Sequence, residues 1–204
     1  MVRVEVKIPN WVDMILAWPV MVSRWWKYGY SFRRIDLGSN MFAMVEQRDY
    51  YRVKKLNWSI SGKEKCIYAV HYEKVESGKI IRVHMHRFIM GEPAGKLVDH
   101  HNSNKLDNRR TNLRIASHSE NNCNRPKKKG TSSQYIGSHL NKKTGRWIAQ
   151  IRINGKSTHL GSFANEIDAA RAYDEAARKY HGEFARLNFP EEERHPLFTT
   201  YRGR

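Results

Sequence analysis

Cysteine is scarce in this 204-residue chain, which contains only Cys66 and Cys123. Two isolated cysteines form no CxxC pair, so they exclude a thiolate zinc ribbon and argue against a secreted domain held by disulfides. Long hydrophobic runs are also missing: the most membrane-like stretch, residues 14–22, has nine residues, whereas a membrane-spanning helix needs about 20. Its flanks do not fit a signal peptide. We therefore expect a cytoplasmic protein in a reducing compartment.

Acidic residues are few relative to basic ones. Against 37 Lys and Arg stand 20 Asp and Glu, which gives a formal net charge of +17. This excess favours a polyanionic partner such as nucleic acid, although a generally solvated basic surface would also account for it. Because 40% of the residues are hydrophobic, the chain can bury cores, and a wholly disordered basic protein is excluded.

Residues 124–133 form a basic stretch with Gly, Ser and Pro and no apolar period. Such a composition predicts a linker, and its lysines could also lie along DNA. Downstream, Trp147, Ala149 and Ile151 alternate with polar residues as in a half-buried strand. Asn154-Gly155 predicts a tight hairpin turn after it. A helix capped by Asn165 is then expected to end near residue 182.

Upstream of the linker, residues 80–89 and 68–72 are typical of strands, and residues 120–125 of a short helix. Residues 11–26 predict an apolar helix that is interrupted at Pro19. His84 and His86 would share one face of their strand, where such a pair more often packs than binds metal.

A long polar loop follows Asp99-His100 and leads to an Asn-rich segment at residues 121–124. Asp99 together with an Asn carbonyl is a plausible minimal site for Mg²⁺, which takes oxygen ligands and keeps several waters. His100, beside that ligand, could deprotonate a water molecule. Taken singly, these Asn and Asp residues could also serve only as turn and cap residues.

This order of motifs resembles the HNH nucleases of phages and bacteria. The matching motifs are His86-Arg87, Asp99-His100, residues 106–114 and residues 121–124. The resemblance implies a ββα-metal fold around one Mg²⁺ or Mn²⁺ ion, with Asp99 and Asn121 as metal ligands. It also implies that His100 is the general base and that Asn112 holds the loop. His86, Arg87 and His101 would lie near the site, and the candidate phosphate-binding residues are Arg109, Arg110, Arg114, Lys127, Lys128 and Lys129.

Residues 135–190 are similar to the AP2 domain, through residues 145–151, 159–163, 169–174 and 187–190. The resemblance implies a three-stranded sheet that lies in the major groove, braced by a helix, with double-stranded DNA as the partner. Phosphate contacts alone are the alternative for this face. The candidate base-reading residues are Arg146, Gln150, Arg152, His139, Asn141 and His159.

Together these resemblances predict an α+β protein in which a ββα-metal nuclease core is joined by a basic linker to a three-stranded antiparallel sheet plus helix. The combination resembles the HNH homing endonucleases with an AP2 domain, and no membrane or small-molecule cofactor is expected. A non-catalytic DNA-binding regulator and, less favoured, an RNA-directed protein are the alternatives. The predicted segments are an aromatic and basic helical part (1–34), an α/β part (35–83), the nuclease (84–125), the linker (126–134), the AP2 domain (135–190) and a tail (191–204).

Overall fold

The computed structural model describes residues 9–63, 66–125, 127 and 130–190. The chain divides into two compact units, Met1–Ile115 and Ala116–Arg204. The expected tail and the candidate phosphate-binding residues Lys128 and Lys129 lie outside the described residues. Among the helices that are described, none has the length and apolar character needed to cross a membrane.

The first unit alternates short helices with two- and three-stranded sheets. Strands β1 and β2 form one sheet, β3, β4 and β5 an antiparallel sheet, and β6 and β7 a further pair. The elements in chain order are α1 (Asn10–Tyr28), β1 (Arg33–Asp36), β2 (Phe42–Val45), α2 (Gln47–Lys54), β3 (Ser59–Ser61), β4 (Tyr68–Lys74), β5 (Ile80–His84), α3 (Met85–Ile89), β6 (Leu97–His100) and β7 (Leu113–Ala116).

Two predictions about this unit were wrong in part. The helix α1 runs through Pro19 without interruption; a proline removes one backbone hydrogen bond but does not by itself end a helix. The expected strand at residues 80–89 ends at His84, and Met85–Ile89 forms helix α3. Met85 and Ile89, four residues apart, are both buried, so the apolar spacing of this segment is helical and not alternating.

The core of the first unit joins β1, β2, α2 and α3 to the β6–β7 pair. Its buried members include Val45, Val53, Met85, Ile89 and Leu113. Because α3 and β7 pack into the same core, β6, which lies between them in the chain, is held at a fixed place.

The second unit is a three-stranded sheet with one long helix. The sheet order is β10-β9-β8 and both pairs are antiparallel. Its elements are α4 (His118–Cys123), β8 (Ser138–Asn141), β9 (Arg146–Ile153), β10 (Lys156–Phe163) and α5 (Glu166–His181).

The hairpin turn and the helix cap predicted for this unit are confirmed. The hairpin turn lies at Asn154 and Gly155, whose φ angles of 48° and 79° are the two positive values that such a turn requires. Asn165 caps α5 through its side chain, which accepts from the Asp168 amide. The short helix expected at residues 120–125 is α4, which begins two residues earlier and ends at Cys123.

The inner face of β9 packs on α5. Ala149 and Ile151 of β9 are buried, as are Tyr173 and Ala177 of α5. Gly137 comes so close to the Tyr173 ring that a Cβ atom would overlap it, and its φ is +76°. This packing leaves the other face of the sheet to solvent.

Candidate active site and nucleic-acid interface

The loop between β6 and β7 is tied together by Asn112. The Asn112 amide oxygen accepts from the Asn102 backbone amide at 3.0 Å, and its amide nitrogen donates to the Asp107 carbonyl at 2.8 Å. The Asn112 carbonyl also accepts from the His101 amide. One buried side chain therefore fixes both limbs of the loop that follows Asp99 and His100.

Asp107 supplies the second anchor of this loop. Its fully buried carboxylate accepts from Arg109 Nε and Nη2 at 2.7 and 2.6 Å and from Asn102 Nδ2 at 2.8 Å. The Arg109 guanidinium lies 3.4 Å from the centre of the Tyr30 ring. The backbone next to Asp107 pairs with Met44 of β2. Sequence reasoning assigned no role to Asp107.

His100 is completely buried at the end of β6. Its ring centroid lies 5.0 Å from that of His86 and 6.4 Å from that of Tyr68. Burial, together with the nearby Lys105, lowers the pKa of His100 from 6.5 to about 4. Burial and the neighbouring imidazoles lower the pKa of His86 to about 2. Both rings are therefore neutral at pH 7.

Asn108 sets the orientation of the His100 ring. His100 Nε2 lies 3.4 Å from Asn108 Oδ1, an oxygen that accepts from the imidazole when the proton is on Nε2. Asn108 is itself 1% exposed, and its backbone amide donates to the Met44 carbonyl. With the proton on Nε2, the lone pair of His100 is on Nδ1. The sequence analysis includes Asn108 in the motif but assigns it no contact with His100. Nothing in the neighbouring residues of the chain indicates that contact.

Asp99 sits in a positive environment. Its carboxylate Oδ2 accepts from Arg114 Nη2 and Nε at 2.8 and 3.1 Å, and Oδ1 lies 4.0 Å from Lys105 Nζ. Asp99 is 3% exposed. The structure thus brings Asp99, His100 and Asn112 together around one loop.

The other candidates near the site have intramolecular contacts of their own. Arg110 holds Asp49 with two hydrogen bonds of 2.7 and 2.9 Å and donates to the Ile89 carbonyl. Arg87 closes the loop before β6 by donating to Glu92 and to the Lys96 carbonyl. Arg87, Arg109 and Arg110 therefore have structural contacts, and their predicted roles near the site and at phosphates stay predictions.

The side chains of three further candidates lie outside the loop contacts described above: His101, Lys127 and the His84–His86 pair. His101 is exposed, and Lys127 is partly buried, which lowers the pKa of its ammonium group. His84 and His86 lie across the β5–α3 junction instead of on one strand, yet their rings still approach to 5.2 Å.

Asn121 belongs to helix α4, in the second unit. The helix begins with a capping box: the Ser117 hydroxyl accepts from the Glu120 amide, and the Glu120 carboxylate accepts from the Ser117 amide. This arrangement satisfies two amides at the start of the helix. It fixes the turn on which Asn121 stands.

The donor atoms present fit a hard divalent cation. Asp99 of the first unit offers a buried carboxylate next to the neutral imidazole of His100, and Asn121 of the second unit is the predicted amide ligand. Within the described ranges, no three His, Cys, Asp or Glu side chains are placed to hold a metal ion. A set of one carboxylate and one amide is suited to Mg²⁺, which keeps several of its waters, more than to Zn²⁺.

All six predicted base-reading residues lie on one face of the second sheet. Arg146, Gln150 and Arg152 share the exposed face of β9. In the registers with β8 and β10, Asn141 pairs with Arg146, His139 with Ile148, and His159 with Gln150. Residues directly opposite each other point to the same side. Arg146 also donates to the Ser162 carbonyl.

Comparison with known proteins agrees with the loop geometry. The HNH endonuclease family model matches residues 83–123. An uncharacterised HNH endonuclease of Acanthamoeba polyphaga mimivirus is 31% identical over 163 residues, which cover 77% of this chain and 80% of the viral protein. The chain belongs to the HNH endonuclease family.

The chain also contains an AP2-like segment. It is 48% identical over 58 residues to APETALA2-like protein 2 of Oryza sativa, and 49% identical over 49 residues to dehydration-responsive element-binding protein 2C of Arabidopsis thaliana. These matches cover 28% and 23% of the chain but span only 13% and 14% of the plant proteins. No solved structure matches the chain.

Proposed function

We propose that the protein is a site-specific DNA endonuclease that hydrolyses phosphodiester bonds. The observation that carries the proposal is the buried, neutral His100, which lies next to Asp99 and is oriented by Asn108. A neutral imidazole with a fixed tautomer is suited to accept a proton from water.

In the proposed reaction, His100 Nδ1 takes a proton from the attacking water, and the water oxygen forms a bond to phosphorus as the bond from phosphorus to the 3′ oxygen breaks. The departing 3′ oxygen takes a proton from solvent. Asn108 keeps the proton of the resting imidazole on Nε2 and, as His100 becomes charged, continues to accept from it. Asn112 and Asp107 hold the loop so that this alignment is present before substrate binds. Arg114 forms an ion pair with Asp99 and so stabilises the charged form of that carboxylate.

Asp99 and Asn121 are the proposed ligands of a divalent cation, Mg²⁺ or Mn²⁺. When bound, such an ion stabilises negative charge on the phosphate and the leaving oxygen. The buried Asp99 carboxylate provides the fixed charge for this binding.

Target recognition is assigned to the exposed face of the β8–β9–β10 sheet. Arg146, Gln150 and Arg152 project from it, and arginine and glutamine side chains match guanine and adenine edges in the major groove. A nuclease motif combined with an AP2-like segment supports an enzyme of the homing type, cutting at chosen DNA sites.

Cleavage of supercoiled plasmid carrying random inserts tests this function. We expect nicks at recurrent sites in Mg²⁺, none in EDTA, and none with His100→Ala, whose DNA binding should persist. His159→Ala serves as the matched control: it removes an imidazole from the reading face, so cleavage should continue while the site preference changes. Tight binding without any cleavage by the unaltered chain would favour the DNA-binding regulator instead.

A further inference from the structure

The outward face of helix α1 is apolar, which is the reverse of an ordinary surface helix. Trp11, Ile15, Trp18, Val22 and Trp26 recur at intervals of three and four residues and are 38–79% exposed. Residues with this spacing lie along one side of a helix. None of the 19 residues of α1 is buried.

The opposite side of α1 attaches it to the first unit through polar contacts. Asp13 accepts from Arg33 at 2.9 Å, and Arg24 donates to the Phe32 carbonyl at 2.6 Å. The apolar stripe of Trp11, Ile15, Trp18, Val22 and Trp26 therefore faces away from the rest of its unit. It contains no charged side chain, so it lacks the cations that contact with DNA phosphates would use.

The exposed area is that of a protein interface. The three tryptophans of the stripe are 64–79% exposed and Trp25, beside them on the helix, is 56% exposed; at about 250 Å² each, the four present roughly 600–700 Å² of aromatic surface. The largest apolar patch on a typical monomer is about 300–600 Å². A stable interface buries about 800 Å² on each partner. The exposed surface of Ile15 and Val22, added to that of the tryptophans, is close to this area.

The order of residues in the stripe is self-complementary. In an antiparallel pair of α1 helices with its two-fold axis between Trp18 and Pro19, Trp11 faces Trp26, Ile15 faces Val22 and Trp18 faces the apolar Pro19. A two-fold interface uses the same patch on both subunits, so a pattern that reads alike in both directions fits it. The groove along the second half of α1 would lie opposite the first half of the other helix. It is lined by Trp18, Pro19, Val22 and Trp26, with Ser23 and Lys27 at its border.

We propose that this apolar stripe is the interface of a homodimer formed by two antiparallel α1 helices. A second copy fits better than a lipid surface, because membrane-surface helices present a polar face rich in Lys and Arg to water, and the other side of α1 is bound to its own unit. Dimerisation does not depend on the proposed nuclease activity. If both hold, one dimer carries two copies of His100.

Sedimentation equilibrium of the full chain tests the proposal, after nuclease treatment and in salt that removes nucleic acid. We expect a dimer at micromolar concentration. Ile15→Lys and Val22→Glu should each give monomers, because each buries two unpaired charges in the dimer. Mixing these two variants should restore a dimer, since Lys at 15 then faces Glu at 22 across the antiparallel pair.

Leu16→Lys is the matched control, because Leu16 is 64% exposed but lies outside the stripe. It should remain a dimer. If the unaltered chain is a monomer, the proposal is overturned. Binding of that monomer to phosphatidylcholine vesicles would then identify the stripe as a surface for lipid. A monomer that does not bind vesicles would mean that another part of the chain covers the stripe. Dimers that survive both charged substitutions, or a mixture that fails to associate, would overturn the antiparallel pairing. Circular dichroism of each variant verifies that it is folded.

Discussion

The buried pair of Asp107 and Arg109 is predicted to hold the loop between β6 and β7 in place. Asp107→Ala removes a carboxylate that is fully buried and accepts two hydrogen bonds from Arg109 and one from Asn102. Burial disfavours the charged form of Arg109, but Asp107 more than offsets this and raises the pKa of the guanidinium above its ordinary value. Without Asp107, a charged guanidinium would remain buried with its main partner gone.

The expected cost is large because one partner of a buried pair is left behind. Removing one member of such a pair typically costs about 3–5 kcal/mol, whereas an exposed ion pair contributes about 0–1 kcal/mol. The double variant Asp107→Ala/Arg109→Ala should cost less than the two single changes added together. We expect the coupling energy of this double-mutant cycle to reach about 2–3 kcal/mol.

Urea unfolding measures this cycle through the fluorescence of Trp58, which is 7% exposed in the first core. A Trp147→Phe background silences the tryptophan of the second unit. The exposed pair of Arg87 and Glu92, 2.9 Å apart, is the control cycle and should show a coupling below about 1 kcal/mol. An Asp107–Arg109 coupling as small as this would refute the claim that the pair holds the loop.

Three further predictions follow from packing, protonation and charge. Gly137→Ala should destabilise the second unit by about 1–3 kcal/mol more than Gly145→Ala, because both glycines have positive φ but only at Gly137 would the new Cβ overlap Tyr173; urea unfolding followed by Trp147 compares them. The depressed pKa values of His86 and His100 mean that, below pH 6.5, the unfolded chain binds protons that the folded chain does not. The free energy of unfolding should therefore be unaffected by these groups above pH 7 and fall by up to about 1.4 kcal/mol per histidine per pH unit between about pH 6.5 and 4; urea titrations at several pH values check this, and His86→Leu should reduce the slope. Given the net charge of +17, the affinity for duplex DNA should fall steeply and linearly on a log–log plot as salt rises; a filter-binding series that shows no salt dependence would contradict a phosphate-contacting surface.

The features that could be predicted from the sequence are those set by local periodicity. The alternation at Trp147, Ala149 and Ile151, the Asn154-Gly155 turn and the Asn165 cap each depend on residues within a few positions. The boundary between β5 and α3 was missed because strand and helix meet within one apolar segment. Met85 and Ile89 are buried in the core that they share with β6 and β7, and this burial favours a helix after His84.

The roles of the arginines near the nuclease motif could not be predicted, because their partners lie far away in the sequence or are hidden by burial. Arg110 reaches Asp49 across 61 positions, and nothing in the loop sequence distinguishes a guanidinium that contacts a carboxylate from one that contacts a phosphate. Arg109, Arg110 and Arg114 each contact a buried carboxylate at 2.8 Å or less. Less positive charge is therefore available to DNA around His100 than the motif suggests. Arg146 and Arg152 of the second sheet are exposed, so we expect them to contribute more of the attraction to DNA than the arginines around His100.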